Sequence, residues 1–241
     1  LPLDVCGAMT QGAIGYHIQN ALGWELKKRG INKNVVSLVT QVEVLEDDPA
    51  FQNPTKPIGP FYTGEQAKAI AQATGFVFKE DSGRGWRRVV PSPKPYKIVE
   101  APSAQTLVES DTVVIVAGGG GVPVATDKDG GYKGVEAVID KDLSSALLAD
   151  EINADDLFIL TAVDKVALNF GKPDEKLLDE INTEKAEEYC KEGHFAPGSM
   201  LPKVQAAMNF VKGKAGRRAI ITSLDKAIDA FNGTDGTTIV D

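Results

Sequence analysis

Between Asp111 and Val166 the chain drives an apolar strand into a run of glycines, and few folds tolerate that. Thr112–Ala117 (TVVIVA) leads directly into Gly118, Gly119, Gly120 and Gly121, and a second apolar run, Leu157–Thr161, ends in TAVDKV. Between them lies GVEAVIDKDLSSALLADEI, which reads as a helix over 142–153 preceded by Asp140-Lys141-Asp142. Glycine has no Cβ, so its backbone N–H groups can approach an anion closely. The start of the following helix adds partial positive charge, and Lys141 adds a full one. Consecutive glycines are entropically costly, and ligands of open α/β sheets bind at the carboxyl ends of the strands. The segment therefore predicts an α/β sheet that handles phosphate. No G-x-x-x-x-G-K-[ST] loop is present, and a G-x-G-x-x-G pattern counted from Gly118 fails at Pro123.

Around this segment the texture alternates. Residues 1–45 read as helix, turn and strand, with helical spacing over Gly12–Lys28, Gly30 as helix stop and a strand at Val35–Val39. Eight of the thirteen prolines fall between Pro49 and Pro102, which marks residues 46–102 as a small excursion from the main sheet. Within it Thr63-Gly64-Glu65-Gln66 is a capping box, and Gly75 ends the helix it starts. Further helices are expected near 103–110, 183–192, 200–213 and 223–231, and strands at 112–117, 157–161, 218–222 and 237–240. The runs VVIVA, LFIL and AIIT lack polar alternation, so these strands are expected to be buried on both faces of a parallel sheet.

Composition excludes several functions. A net charge of −8, from 34 acidic against 26 basic side chains, is unsuited to a nucleic-acid partner. Cys6 and Cys190 form no metal-ligand pair, which is consistent with a reduced, cytoplasmic chain. No apolar run approaches the ~20 residues that span a bilayer. His17 and His194 have no ligand or triad partner nearby in sequence, and Tyr16 and Trp24 read as packing residues. The opening LPLDVCGAMTQGAIGYHIQNAL starts without methionine and in core-like sequence, so the chain is expected to be a fragment.

Charged residues at helix starts carry the chemistry. Asp140 or Asp142 suits an N-cap. Lys141 opposes the helix macrodipole unless an anion sits beside it. Lys203 repeats the pattern in GSMLPKVQAAM, after Ser199 as N-cap and Pro202 in the first turn. Lys56 lies between Pro54 and Pro57 in a stiffened segment that can reach over a cleft. Arg84, Arg87 and Arg88 suit either a phosphate clamp or pairing with Glu80 and Asp81. Asp164 suits either a nucleotide contact or loop ordering.

Taken together, LPLDVCGAMTQGAIGY, NPTKPIGPFY, KEDSGRGWRRVVPSPKP, AGGGGVPV, GVEAVIDKD, TAVDKV, FGKPDEK, GHFAPGSMLPK and AIITSL resemble the carbamate kinases of the amino-acid kinase family, collinearly over nearly the whole chain. The resemblance implies a three-layer αβα sandwich with a mostly parallel sheet, made of residues 1–241, and a protruding subdomain at 46–102. It implies a cytoplasmic homodimer that uses ATP or ADP with Mg²⁺ to interconvert carbamate and carbamoyl phosphate. Such enzymes commonly form ATP at the end of arginine catabolism, the arginine deiminase pathway. By the same resemblance, Lys141 and Lys203 contact the transferring phosphoryl group, Lys56 is brought over the substrate, and Asp142 orients the lysines. Gly118, Gly119 and Gly120 lie near the phosphates. Thr161, Val163 and Asp164, the FGKPDE loop, and Ser199 and Met200 lie on the nucleotide side. No residue is assigned to a metal. The family's strand into a Gly-Gly-Asn loop and its later Gly-Asn-Gly turn have no counterpart in this sequence, which would weaken turnover. Another amino-acid kinase acting on a carboxylate, or a truncated nucleotide-binding homologue without turnover, are the alternatives.

Overall fold

The computed structural model describes residues 1–241, which form two compact units, 1–141 and 142–241. The first contains α1 (Leu3–Lys28), β1 (Val35–Ser37), β2 (Gln41–Glu43), a 3₁₀ turn (Pro49–Gln52), β3 (Lys56–Tyr62), α2 (Gly64–Thr74), β4 (Phe78–Glu80), β5 (Trp86–Val90), β6 (Lys97–Ile98), α3 (Ala101–Glu109), β7 (Val113–Ile115), β8 (Val122–Thr126) and β9 (Tyr132–Gly134). Helix α4 (Lys141–Glu151) begins at the boundary. The second unit continues with β10 (Asp156–Thr161), β11 (Ala167–Leu168), β12 (Lys176–Leu177), β13 (Glu180–Asn182), α5 (Thr183–Lys191), α6 (Met200–Lys212), β14 (Arg218–Ser223), α7 (Ala227–Phe231) and β15 (Thr237–Val240).

In the first unit β1 pairs in parallel with β7, and β2 pairs in parallel with β8 inside the sheet β6-β2-β8-β9. The outer strands β6 and β9 are antiparallel to their neighbours. Helix α1 starts at Leu3, well before the expected Gly12, because neither Gly7 nor Gly12 interrupts it. Gly30 follows it at φ +69°, as its stop role requires. Residues 56–90 form a separate antiparallel sheet, β3-β5-β4, on which α2 packs, whereas β6 returns to β2. The capping box is present in both directions: Gln66 N–H donates to Thr63 Oγ1 (3.2 Å), and Thr63 N–H donates to Gln66 Oε1 (3.0 Å). Gly75 closes α2 at φ +75°.

The second unit is a layered sandwich. Its sheet runs β10-β14-β15-β13, with β14 parallel to β10 and antiparallel to β15. One face presents Leu157, Ile159, Ala219, Ile221 and Ile239 to Ala146 and Ala149 of α4, Ala186 of α5, and Val204, Phe210 and Val211 of α6. On the other face the Phe158 ring lies 5.9 Å from that of Phe231 in α7, and Ile220 approaches Ala230 around Gly236. Helices thus cover both sides, as the α/β class demands, although the sheets mix parallel and antiparallel pairs.

Burial on both faces holds for only one of the three apolar runs. β14 is buried from Ala219 to Ser223 because it lies between two strands and two helical layers. β10 is an edge strand, so Leu157 and Ile159 are buried while Leu160 is 45% exposed. β7 has a single partner, and its three residues are only half-buried.

Phe210 is 1% exposed at the centre of the second unit's core. Phe210→Ala is expected to lower the stability of the second unit by about 3–5 kcal/mol. Urea unfolding would show this as a lower midpoint at nearly constant m-value.

Candidate active site

The glycine loop is shaped by close backbone approach. An added Cβ at Gly120 (φ +135°) would sit 2.2 Å from the Ile139 carbonyl oxygen and 3.4 Å from the Lys141 amide nitrogen. One at Gly121 (φ +90°) would sit 2.1 Å from Val42 Cγ2. The loop therefore rests directly against the backbone that delivers Asp140 and Lys141. Most of its amides turn inward, contrary to the expectation that they face an anion. Gly118 N–H donates to Val116 O (2.8 Å), and Gly120 and Gly121 both donate to Ala117 O (2.9 and 2.6 Å). A turn this tight closes on its own first carbonyl. The amide of Gly119 is the one with no acceptor in the chain.

Beside the loop, Lys56 at the start of β3 extends its ammonium to Asp140, with Nζ 3.2 Å from Oδ2. The Lys56 side chain remains 36% exposed, so this pair is open to solvent on one side. Lys141, the first residue of α4, is exposed.

In the second unit Asp142 and Lys203 form a buried pair, with Nζ 2.7 Å from Oδ2 and the two residues 7% and 8% exposed. Lys203 lies in the first turn of α6 and Asp142 in the first turn of α4. A charge removed from water this far requires a partner. Ser199 occupies the N-cap position of α6, but at φ −140° and ψ −84° its hydroxyl caps nothing, so the expected cap bond is absent.

Thr161, Val163, Ser199 and Met200 line one cavity of about 480 Å³, within the range of small-molecule sites. Asp164 is exposed and outside that lining. His194, which sequence reasoning set aside, lies in the wall, its Nε2 3.1 Å from Glu192 Oε2 and its ring edge-on to Tyr189. Lys165 is also in the wall. Its hydrogen bond to Asp179 (2.6 Å) holds its pKa above the ordinary lysine value, against a smaller desolvation effect, with Asp235 adding to the rise.

The arginine cluster resolves in favour of internal pairing. Arg84 and Arg87 both contact Asp81, at 3.1 and 3.4 Å, and stack over Phe61. Arg88 pairs with Glu136 and covers Phe76 at 3.5 Å.

Sequence reasoning missed Gln11 and Thr40. The Gln11 side chain accepts from Thr40 N–H (2.8 Å) and donates to Thr40 O (3.1 Å), and both residues are buried. Thr40 Oγ1 accepts from Ala117 N–H at 2.9 Å, immediately before the glycines. No local signal set Gln11 apart, since α1 also carries Thr10, His17, Gln19 and Asn20.

The sequence profile of the amino acid kinase family matches residues 18–223. Carbamate kinase 2 of Enterococcus faecalis is 56% identical over 236 residues, which are 97% of this chain and 75% of the relative. The carbamate kinase of Pyrococcus horikoshii is 56% identical over 238 residues, 99% of this chain and 75% of the relative. Carbamate kinase from Giardia lamblia bound to AMP-PNP superposes with a TM-score of 0.92 at 47% identity, covering 100% of this chain and 76% of that one.

The loop geometry separates two neighbouring substitutions. Gly120→Ala meets a backbone carbonyl at an unfavourable φ and is expected to cost about 3 kcal/mol. A Cβ at Gly119 meets nothing within 4 Å, so Gly119→Ala is expected to cost under about 1 kcal/mol. Parallel thermal unfolding of the two variants would check the order.

Proposed function

The chain belongs to the amino acid kinase family and, within it, to the carbamate kinases, and from that premise we propose how its own residues carry the reaction. It is a phosphotransferase that exchanges a phosphoryl group between ATP and carbamate, giving ADP and carbamoyl phosphate, in either direction. Phosphoryl transfer asks little covalent chemistry of a protein. It requires reactants held in line and the charge on the equatorial oxygens neutralised.

One observation carries the assignment of roles. Asp140 and Asp142, on either side of Lys141, each hold a lysine from a distant part of the chain: Lys56 at 3.2 Å and Lys203 at 2.7 Å. Lys141, Lys203 and Lys56 are the cations for the transferring phosphoryl group, and Asp142 fixes the Lys203 ammonium in place. Gly118, Gly119 and Gly120 form the loop beside the phosphates, where the free Gly119 amide suits an anionic oxygen. The nucleotide lies in the cavity lined by Thr161, Val163, Ser199 and Met200, with the Lys165 cation in its wall; Asp164 acts outside that lining, as a loop residue.

No group of three or more His, Cys, Asp or Glu side chains converges into a metal cage. That suits Mg²⁺ brought in with the nucleotide, held mainly by phosphate oxygens with one or two carboxylates. When bound, the ion supplies further neutralisation of phosphate charge. Residues 46–102, with the separate β3-β5-β4 sheet, form the protruding subdomain that carries Lys56.

Self-association as a homodimer is supported by α1. Met9, Tyr16 and Trp24, spaced along one stripe of the helix, are 60%, 64% and 59% exposed, an apolar surface uncommon on a monomer. Sedimentation of the purified protein as a monomer would overturn the dimer. A cytoplasmic location and a role in arginine catabolism, with ATP formed from carbamoyl phosphate, complete the proposal. No helix is long and apolar enough to cross a membrane.

The test offers carbamoyl phosphate and ADP to the purified chain and reads ATP. Lys203→Ala is expected to lower kcat on the order of 10²–10³-fold. It also removes the buried ammonium that faces Asp142, at a cost of about 3–5 kcal/mol. Adding Asp142→Asn should recover much of the stability but not the rate. Unchanged turnover in a folded Lys203→Ala protein would remove Lys203 from the mechanism.

A further inference from the structure

We propose that Thr40 and Gln11 are positioning residues for phosphoryl transfer, clamping the glycine loop at the height at which it supports the Ile139–Lys141 backbone. The inference rests on the carbamate kinase reading above and concerns residues to which that reading gives no part.

Thr40 is fully buried in the bend between β1 and β2, and each of its polar groups is used. Its N–H donates to Gln11 Oε1, and its carbonyl accepts from both Gln11 Nε2 and Val122 N–H (2.8 Å). Its hydroxyl donates to Leu38 O (2.9 Å) and accepts from Ala117 N–H (2.9 Å). One residue therefore grips the glycine loop where it begins, at Ala117, and where it ends, at Val122. The grip has a conformational consequence. Ala117 sits at φ +61°, a region that costs a side-chain-bearing residue on the order of 1 kcal/mol or more. The Thr40 hydroxyl holds the amide of that residue.

Gln11 completes the clamp from the helix side. Its Cγ lies so close to Gly118 that an added Cβ there would be 2.7 Å away, so the loop cannot sink towards α1. At the far side of the loop, Gly120 abuts Ile139 O, and Ile139 is 1% exposed. The chain of contacts runs without a gap from Gln11 through Thr40 and Ala117–Gly120 to the backbone just before Asp140 and Lys141. Burying an amide and a hydroxyl is expensive where apolar groups would fill the space. In return the hydrogen bonds specify one loop height, which apolar packing does not. Displacing reacting groups by about 1 Å can cost on the order of a hundredfold in rate.

Thr40→Val keeps the shape and removes the hydroxyl, whereas Thr40→Ser keeps the hydroxyl. In the carbamoyl phosphate plus ADP assay, Thr40→Val is expected to lower kcat by about tenfold or more. The KM for ADP should hold within about twofold, because Thr40 bonds to none of the residues that line the cavity assigned to the nucleotide. Thr40→Ser should recover most of the lost rate. Hydrogen exchange supplies the second measurement: amides of 117–122 should exchange faster in Thr40→Val than in wild type or Thr40→Ser. A kcat within about threefold of wild type, or a fall that merely matches the loss of folded protein, overturns the positioning role. If wild type makes no ATP, the kinase reading fails first. The clamp is then judged by exchange alone, and unchanged exchange at 117–122 overturns it.

Discussion

The contact between Gly120 and the carbonyl of Ile139 is the constraint around which the first unit is arranged. It permits a loop at the end of β7 to lie against the backbone that enters α4, at a separation no side chain would allow. Its neighbours all serve that approach. Gly121 makes room for Val42, Gly118 for Gln11, and Thr40 holds both ends of the loop. The glycines are thus needed chiefly for close packing, Gly120 against backbone and Gly118 and Gly121 against side chains. Of the four amides, three serve the turn itself, and that of Gly119 has no acceptor in the chain.

Charge is handled differently on either side of Lys141. Asp140 and Lys56 form a part-buried pair that meets water on the lysine side. Asp142 and Lys203 are buried together, so removing either takes from the other a charge partner that water does not replace. The Lys203 ammonium is thus held out of water, whereas that of Lys56 is reached by solvent.

The three apolar runs look alike in sequence but occupy different environments. AIIT in β14 is buried on both faces, LFIL in β10 alternates, and VVI in β7 is half-buried. What distinguishes them is the number of neighbouring strands, which composition does not encode.

Elements with local signals are legible along the chain. The capping box at Thr63, the Gly75 stop, the helix starts at Lys141 and near Lys203, and the α/β alternation all follow from residues within a few positions of one another. Lys141 and Lys203 stand out in the same local way, because a cation at a helix start is unfavourable without an anion. Their partners are set by the fold. Asp140 takes Lys56 from 84 positions away, Asp142 takes Lys203 from 61, and Thr40 reaches Ala117 across 77. It likewise turned the arginines of 84–88 inward to Asp81, Glu136 and two phenylalanines, and left Asp164 outside the cavity its neighbours line. Hydrogen bonds and ion pairs act over a few ångströms of space, and which residues lie within that distance is set by the fold rather than by spacing along the chain.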